Sequence, residues 1–148
     1  MGELEDAAVR SFALRLIIHY VGDVHQPLHA TTRVDHLNPT GDWGGNKETL
    51  PAKDGASNLH AVWDSVLYKY VGRPALPLSD KDWTWYTNEA AELSKSYPID
   101  ESDLEEGDFD AWAKGSLELS KQFVYPEFTV GDALSQEYID AALPVCLS

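Results

Sequence analysis

Cysteine is nearly absent. Cys146 is the only one in 148 residues, so no disulfide can close within the chain, and the thiol is either free or paired outside it. Basic residues are scarce as well: 11 Lys and Arg face 25 Asp and Glu, a formal charge of −14. That balance excludes nucleic-acid binding through a broad basic surface and leaves any anionic substrate in need of a local cation. No apolar run is long enough to span a bilayer, no secretory signal precedes the first helical stretch, and the opening Met1-Gly2-Glu3-Leu4-Glu5-Asp6 lacks the Ser or Thr of a myristoylation motif. The single Asn-x-Thr, Asn38-Pro39-Thr40, carries proline in the middle and is no glycosylation acceptor. As given, the chain reads as soluble. Composition does not shift along it, and 43% apolar with 11% aromatic residues suffices for one core, hence one domain over residues 1–148.

No pair of strands is convincing, and helical patterns dominate, so the class is all-α. Glu3 to about Val24 is apolar nearly all round, with acids in its first turn, which predicts a buried helix. Thr31 to Ser57 has neither helical nor alternating period and reads as a long loop, the kind that carries function in compact domains. Asn58 caps a second helix predicted through about Val71, ended by Gly72 and Pro74. Trp83–Tyr97 predicts a third, with Trp85, Ala90, Ala91 and Leu93 as packing positions. Asp110 to about Tyr125 predicts a fourth, with Trp112, Leu117, Leu119 and Phe123 as core, and Asp132 to about Ala142 a fifth, before Pro144. Between the third and fourth, the acid-rich run Asp100–Asp110 lacks calcium-loop spacing and reads as a solvated connector.

All five histidines fall between His19 and His60. His19 and Asp23 are four residues apart, as are His60 and Asp64, so on helices each pair projects an imidazole and a carboxylate from one face. Taken singly, such a pair is a core histidine satisfied by its own i+4 aspartate. Repetition of the spacing, with His29 turned back by Pro27, points instead to a metal pocket. His29, His60 and Asp64 make a three-ligand zinc set with an open fourth position, and His19 with Asp23 supplies part of a second site. Adjacent zinc ions favour phosphate-ester chemistry. Asp35, His36 and Asp42 in the loop read as solvated side chains. Gly44-Gly45-Asn46 provides residues able to take positive φ and bring backbone close to a ligand.

The segments His19-Tyr-Val-Gly-Asp23-Val-His25-Gln-Pro-Leu-His29, Gly44-Gly45-Asn46 and Asn58-Leu-His60-Ala-Val-Trp-Asp64 resemble the zinc-dependent P1/S1 nuclease family, in its 3′-nucleotidase/nuclease branch. The likeness is tight from His19 to Asp64 and looser through Trp112-Ala-Lys-Gly-Ser-Leu-Glu-Leu-Ser120 and Val124-Tyr125. It implies a helical fold shared with zinc phospholipase C. It also implies three zinc ions that hydrolyse single-stranded RNA, DNA and 3′-nucleotides to 5′-phosphorylated products. His19 is implied as a ligand of one metal of a close pair, and Asp23 as the carboxylate bridging that pair and the catalytic residue. His29, His60 and Asp64 are implied for the third zinc, Asn46 as a substrate-binding residue beside the cluster, and His25 as structural.

The family's mature chain opens with a tryptophan whose amino group binds metal, followed by His, Asp and His, all upstream of the position matched by His19. None of these is in this sequence, and its closing helix has no counterpart after Ser148. The resemblance therefore implies the C-terminal portion of one nuclease-like domain, incomplete at both ends and inactive in isolation. Cys146 resembles half of a disulfide whose partner lies in the upstream part, and the location implied is secreted or cell-surface. Two other readings stay open: a non-catalytic zinc-binding helical module, and a zinc phospholipase C relative.

Overall fold

The computed structural model describes residues 7–72, 74–98, 107–126 and 128–147. Among them are five α-helices and one two-stranded hairpin: α1 (Ala7–His25), β1 (Thr49–Lys53), β2 (Ala56–Asn58), α2 (Leu59–Asp64), α3 (Asp80–Ser96), α4 (Phe109–Leu119) and α5 (Gln136–Leu147). A 3-10 turn at Pro27–His29 follows α1, and α4 runs on into a π-helical turn at Ser120–Val124. No helix among the described residues is long and apolar enough to cross a membrane.

The antiparallel hairpin is the one element the all-α reading omits. Asp54 and Gly55 both take left-handed φ between its strands, as a two-residue hairpin turn requires, and only Leu50 and Ala56 point inward. Its second strand leads straight into α2, whose first free N–H groups are capped by Asn58: the side-chain oxygen accepts from Ala61 N at 2.8 Å.

The core sits around α2. Leu59, Val62 and Trp63 are buried there with Leu28, Leu50, Leu67, Val124, Tyr138 and Ala142. Trp63 Nε1 donates to the Tyr138 hydroxyl at 2.9 Å, and that hydroxyl donates to Val124 O at 2.9 Å, so α2, α5 and the π-turn are tied by one buried chain. Helix α2 ends at Asp64 rather than near Val71. Val66, Leu67 and Tyr68 all take left-handed φ of 51–70°, a turn held by Leu67 N donating to Val62 O and Tyr70 N to Ser65 O, both at 2.9 Å. Burial of Leu67 offsets the cost of that backbone, about 1–2 kcal/mol per residue.

Expectations for the other four helices change as well. Helix α1 buries no residue: Phe12, Ile17 and Ile18 are each about 60% exposed, because its packing partners among the described residues are chiefly α4 and the 3-10 turn. The buried stripe of α4 and its π-turn is Ser116, Ser120 and Val124 rather than the bulky positions. Ser116 Oγ donates to Val24 O at 2.6 Å and Thr31 Oγ1 to Ser120 Oγ at 2.8 Å, so hydroxyls dock α1 and the following loop where large side chains would hold them apart. Helix α3 starts earlier, at a Ser79/Asp82 capping box, and none of its residues is fully buried; α5 runs through Pro144 to Leu147. Of the acidic connector, residues 100–106 lie outside the described residues.

Candidate metal centre

Three elements converge. Helix α1 delivers His19 and Asp23, the 3-10 turn His29, and α2 His60 and Asp64. Their side chains form one continuous alternation of imidazole and carboxylate. His19 Nε2 lies 3.3 Å from Asp23 Oδ2, and Asp23 Oδ1 lies 3.6 Å from His29 Nδ1. His29 Nε2 lies 3.4 Å from Asp64 Oδ1, and Asp64 Oδ2 lies 3.5 Å from His60 Nε2. The rings of His29 and His60 stack with centroids 5.1 Å apart.

His29, His60 and Asp64 form a possible metal-binding triad, each offering a ligand atom within 4.8 Å of the others. Two observations test the fit. Zinc held at about 2.0–2.2 Å by tetrahedral ligands separates any two of them by about 3.3–3.6 Å. The two nitrogen-to-carboxylate distances here, 3.4 Å from His29 to Oδ1 and 3.5 Å from His60 to Oδ2, are of that size with one Asp64 oxygen turned to each imidazole, and are longer than good hydrogen bonds. Second, both imidazoles have their Nδ1 turned to a backbone carbonyl: Gly44 O at 2.7 Å for His60 and Asp23 O at 3.1 Å for His29. Donation there places the proton on Nδ1 and leaves Nε2, the atom facing Asp64, with its lone pair free. An all-nitrogen-and-oxygen donor set with one carboxylate fits zinc.

The support around the triad is largely backbone and amide. Gln26 Nε2 donates to Asp64 Oδ1 at 2.9 Å while its oxygen accepts from Leu28 N, pinning the carboxylate to the turn that carries His29. Gly44 takes φ +60°, and a Cβ there would stand 2.4 Å from Leu28 O, so only glycine lets its carbonyl reach His60. The loop bearing Gly44 hangs on a buried polar network. Asp42, fully buried, accepts from Arg33 N (2.9 Å), Thr32 Oγ1 (3.2 Å) and the Tyr125 hydroxyl (2.8 Å). Buried Glu48 accepts from Arg33 Nη2 (2.7 Å) and Asn38 Nδ2 (3.2 Å). Burial and then the Asp42 carboxylate push the Tyr125 hydroxyl far above the usual phenol range, so it stays protonated and donating.

Asp42, expected to be solvated, is thus a structural acceptor, whereas His36 is exposed. His25 points away from the cluster, its Nδ1 2.7 Å from Val21 O and its ring 5.1 Å from Trp112. Asn46 is exposed and donates through Nδ2 to Trp43 O at 2.8 Å. Cys146 is a free thiol, half-buried, and burial pushes it up to about 12. Gln26 and the Gly44 carbonyl were absent from the expected site: the first sits unremarked inside the histidine motif, and a backbone carbonyl has no side-chain signature at all.

Clefts open on two sides of the centre. One, of about 740 Å³, is lined by Tyr20, Asp23, His29, Thr32, Trp43 and His60 among others. The other, of about 660 Å³, reaches His19, Asp23, His29, Asp64 and Cys146.

The chain is similar to known proteins along its whole length. The family described as S1/P1 Nuclease matches residues 2–148. Endonuclease 4 of Arabidopsis thaliana is 30% identical over 139 residues, covering 90% of this chain and 44% of its own length. Endonuclease 5 and Endonuclease 3 of the same plant are each 27% identical over 147 residues, with the same coverage. The chain spans under half the length of these curated relatives.

Proposed function

Because the chain belongs to the S1/P1 nuclease family, we propose that it is the C-terminal portion of a zinc-dependent nuclease domain that hydrolyses single-stranded RNA and DNA and 3′-nucleotides to 5′-phosphorylated products. The observation that carries the reading is the triad: two imidazoles with Nε2 free and one carboxylate, spaced as ligands of a single ion. His29, His60 and Asp64 would hold one zinc, with His19 and Asp23 contributing to a neighbouring pair. Bound zinc supplies Lewis-acid polarisation of the phosphoryl oxygens and an acidified water.

The chain's own residues prepare that chemistry. Gly44 O and Asp23 O hold the two histidine tautomers, so the donors face one point before any ion arrives. Gln26 orients Asp64, and Asp23 sets one oxygen toward His19 and the other toward the Nδ1 edge of His29, next to the triad, where it would join His19 in holding the neighbouring pair. With a formal charge of −14, these cations are also what brings a phosphodiester to the site. A secreted or cell-surface location is carried over from the family.

The test has two arms. The isolated chain, purified without chelator, is expected to hold one tight zinc, lost in His60→Ala, since two protein ligands seldom hold zinc against water. Two or more tight ions, or one that survives His60→Ala, overturn the triad. The full-length protein is expected to hydrolyse single-stranded nucleic acid and 3′-nucleotides, to lose activity to chelator and to regain it with zinc. Zinc bound with both substrates left intact overturns the nuclease reading in favour of a non-catalytic zinc module.

A further inference from the structure

The loop that turns a backbone carbonyl to His60 runs from Asp42 to Glu48, and both of its ends carry a buried carboxylate. Two residues outside the loop, Arg33 and Tyr125, fasten both ends together. Arg33 donates its backbone N–H to Asp42 Oδ1 at 2.9 Å and its Nη2 to Glu48 Oε1 at 2.7 Å. Tyr125, 83 residues beyond Asp42, donates its hydroxyl to Asp42 Oδ2 at 2.8 Å, while the Arg33 guanidinium lies over its ring, 4.8 Å from the centroid. The Glu48 carbonyl accepts from Leu59 N at 2.9 Å, so the far end of the loop is fastened to the first residue of α2. Between these anchors Trp43, Gly44 and Gly45 hold left-handed φ of 58–78°, a backbone kept in place by its ends.

Asp42 has no cation of its own. Its carboxylate accepts from one amide and two hydroxyls, because the Arg33 guanidinium goes to Glu48 and Asp35. Among the described residues the Tyr125 hydroxyl is the one hydrogen-bond donor to Oδ2. A buried carboxylate that loses a donor must turn to find another, and the loop it belongs to turns with it.

We propose that Tyr125 is a positioning residue of the metal centre: through Asp42 and Arg33 it fixes the Gly44 carbonyl, and through that carbonyl the His60 tautomer that leaves Nε2 free for an ion. The inference rests on the metal reading of the triad and deepens it, by naming a residue that sets metal affinity without bonding to a ligand. Two hydrogen bonds carry the effect, Tyr125 to Asp42 and His60 to Gly44 O, joined by the short backbone from Asp42 to Gly44.

The experiment uses the full-length protein and its Tyr125→Phe variant, which keeps the ring beneath Arg33 and deletes only the hydroxyl. Tyr70→Phe is the control, since that hydroxyl bonds to Glu89 and not to the loop. Imidazole nitrogen shifts of the zinc-free proteins, recorded at pH 8 where the rings are neutral, report the tautomer, with His60 assigned by its loss in His60→Ala. Zinc retained per chain is then followed against a graded chromophoric chelator. The parent is expected to show the Nδ1–H tautomer at His60. Tyr125→Phe should show both tautomers and give up one ion at about tenfold lower chelator, the low end of what losing a ligand's supporting bond costs. Tyr70→Phe should match the parent. In Gly44→Ala the route is already cut, so adding Tyr125→Phe should weaken zinc no further. An unchanged tautomer or unchanged zinc retention in Tyr125→Phe overturns the proposal. Equal shifts in Tyr70→Phe, or additive losses in the double variant, also overturn it, because each marks a general loosening of the fold. Should Tyr125→Phe not fold, Thr32→Val decides: it removes another donor to Asp42 while keeping its shape, and must move both quantities the same way or the proposal fails. A parent that retains no zinc fails the metal reading and the proposal with it, whereas a zinc-binding parent matched by Tyr125→Phe fails the positioning alone.

Discussion

Replacing Gly44 by alanine separates backbone strain from metal positioning. A Cβ at this position meets Leu28 O at 2.4 Å and Thr31 O at 3.3 Å, both backbone atoms that cannot swing aside as a side-chain tip could. Bringing the first contact to 3.4 Å, where ordinary van der Waals contact begins, moves the loop by about 1 Å. A displacement of that size is enough to take the 2.7 Å bond from His60 Nδ1 to Gly44 O out of hydrogen-bonding range. Freed from it, His60 can flip or change tautomer, and loss of such a supporting bond lowers metal affinity by about 10–100-fold. The left-handed φ adds about 1–2 kcal/mol of instability in the folded chain. Gly55→Ala isolates that second effect: Gly55 takes φ +88° with nothing within 4 Å of a Cβ. Urea denaturation and zinc competition against a chromophoric chelator give both quantities. Gly55→Ala should lose about 1 kcal/mol of stability with zinc affinity unchanged, while Gly44→Ala should lose more stability and at least tenfold in affinity. Should Gly44→Ala bind zinc within twofold of the parent, the Gly44 carbonyl does not set His60.

Three further outcomes are expected. In the full-length protein Asp23→Asn should cost far more hydrolytic activity than His25→Ala, because Asp23 faces two histidines of the cluster and His25 faces Val21 O and Trp112; equal losses refute the bridging role. Tyr138→Phe should destabilise the chain by about 1–3 kcal/mol in urea, since it strips partners from buried Trp63 Nε1 and Val124 O together. Cys146 should alkylate at pH 8 about a thousandfold slower in the native chain than in urea: only the thiolate reacts, and a thiol pushed up to about 12 is almost wholly protonated there. The native rate should climb about tenfold per pH unit toward that value, and a thiol unreactive even in urea would reveal a disulfide in the full-length protein.

The i, i+4 spacing of His19 with Asp23 and of His60 with Asp64 was readable because both pairs do lie on helices, where that spacing is geometry. Pro27 correctly marks the break that returns His29 to the group. The remainder was illegible for physical reasons. Val66, Leu67 and Tyr68 contain no glycine to announce a left-handed turn; only the demand to bury Leu67 forces it, and that demand is tertiary. The apolar surface of α1 states that it suits burial without stating what would cover it. Asp54-Gly55 did carry a hairpin signal, muted by strands of five and three residues with little alternation. Ser116 and Ser120 look like surface residues in sequence, yet their hydroxyls dock α4 and its π-turn against the elements that carry the histidines.

Helix α2 is six residues long, too short to persist alone, so His60 and Asp64 share a face only once both its ends are fixed. Its anchor Trp63 bonds to Tyr138, 75 residues further on. During synthesis at about 5–20 residues per second, that separation is a delay of about 4–15 s between the last ligand of the triad and the residue that steadies it. Throughout that interval the ligands are attached to the ribosome without a formed site. A triad that depends on Tyr138 in this way is assembled only after Tyr138 has been made, so any ion it takes is drawn from where the chain folds and not from where its ligands are translated.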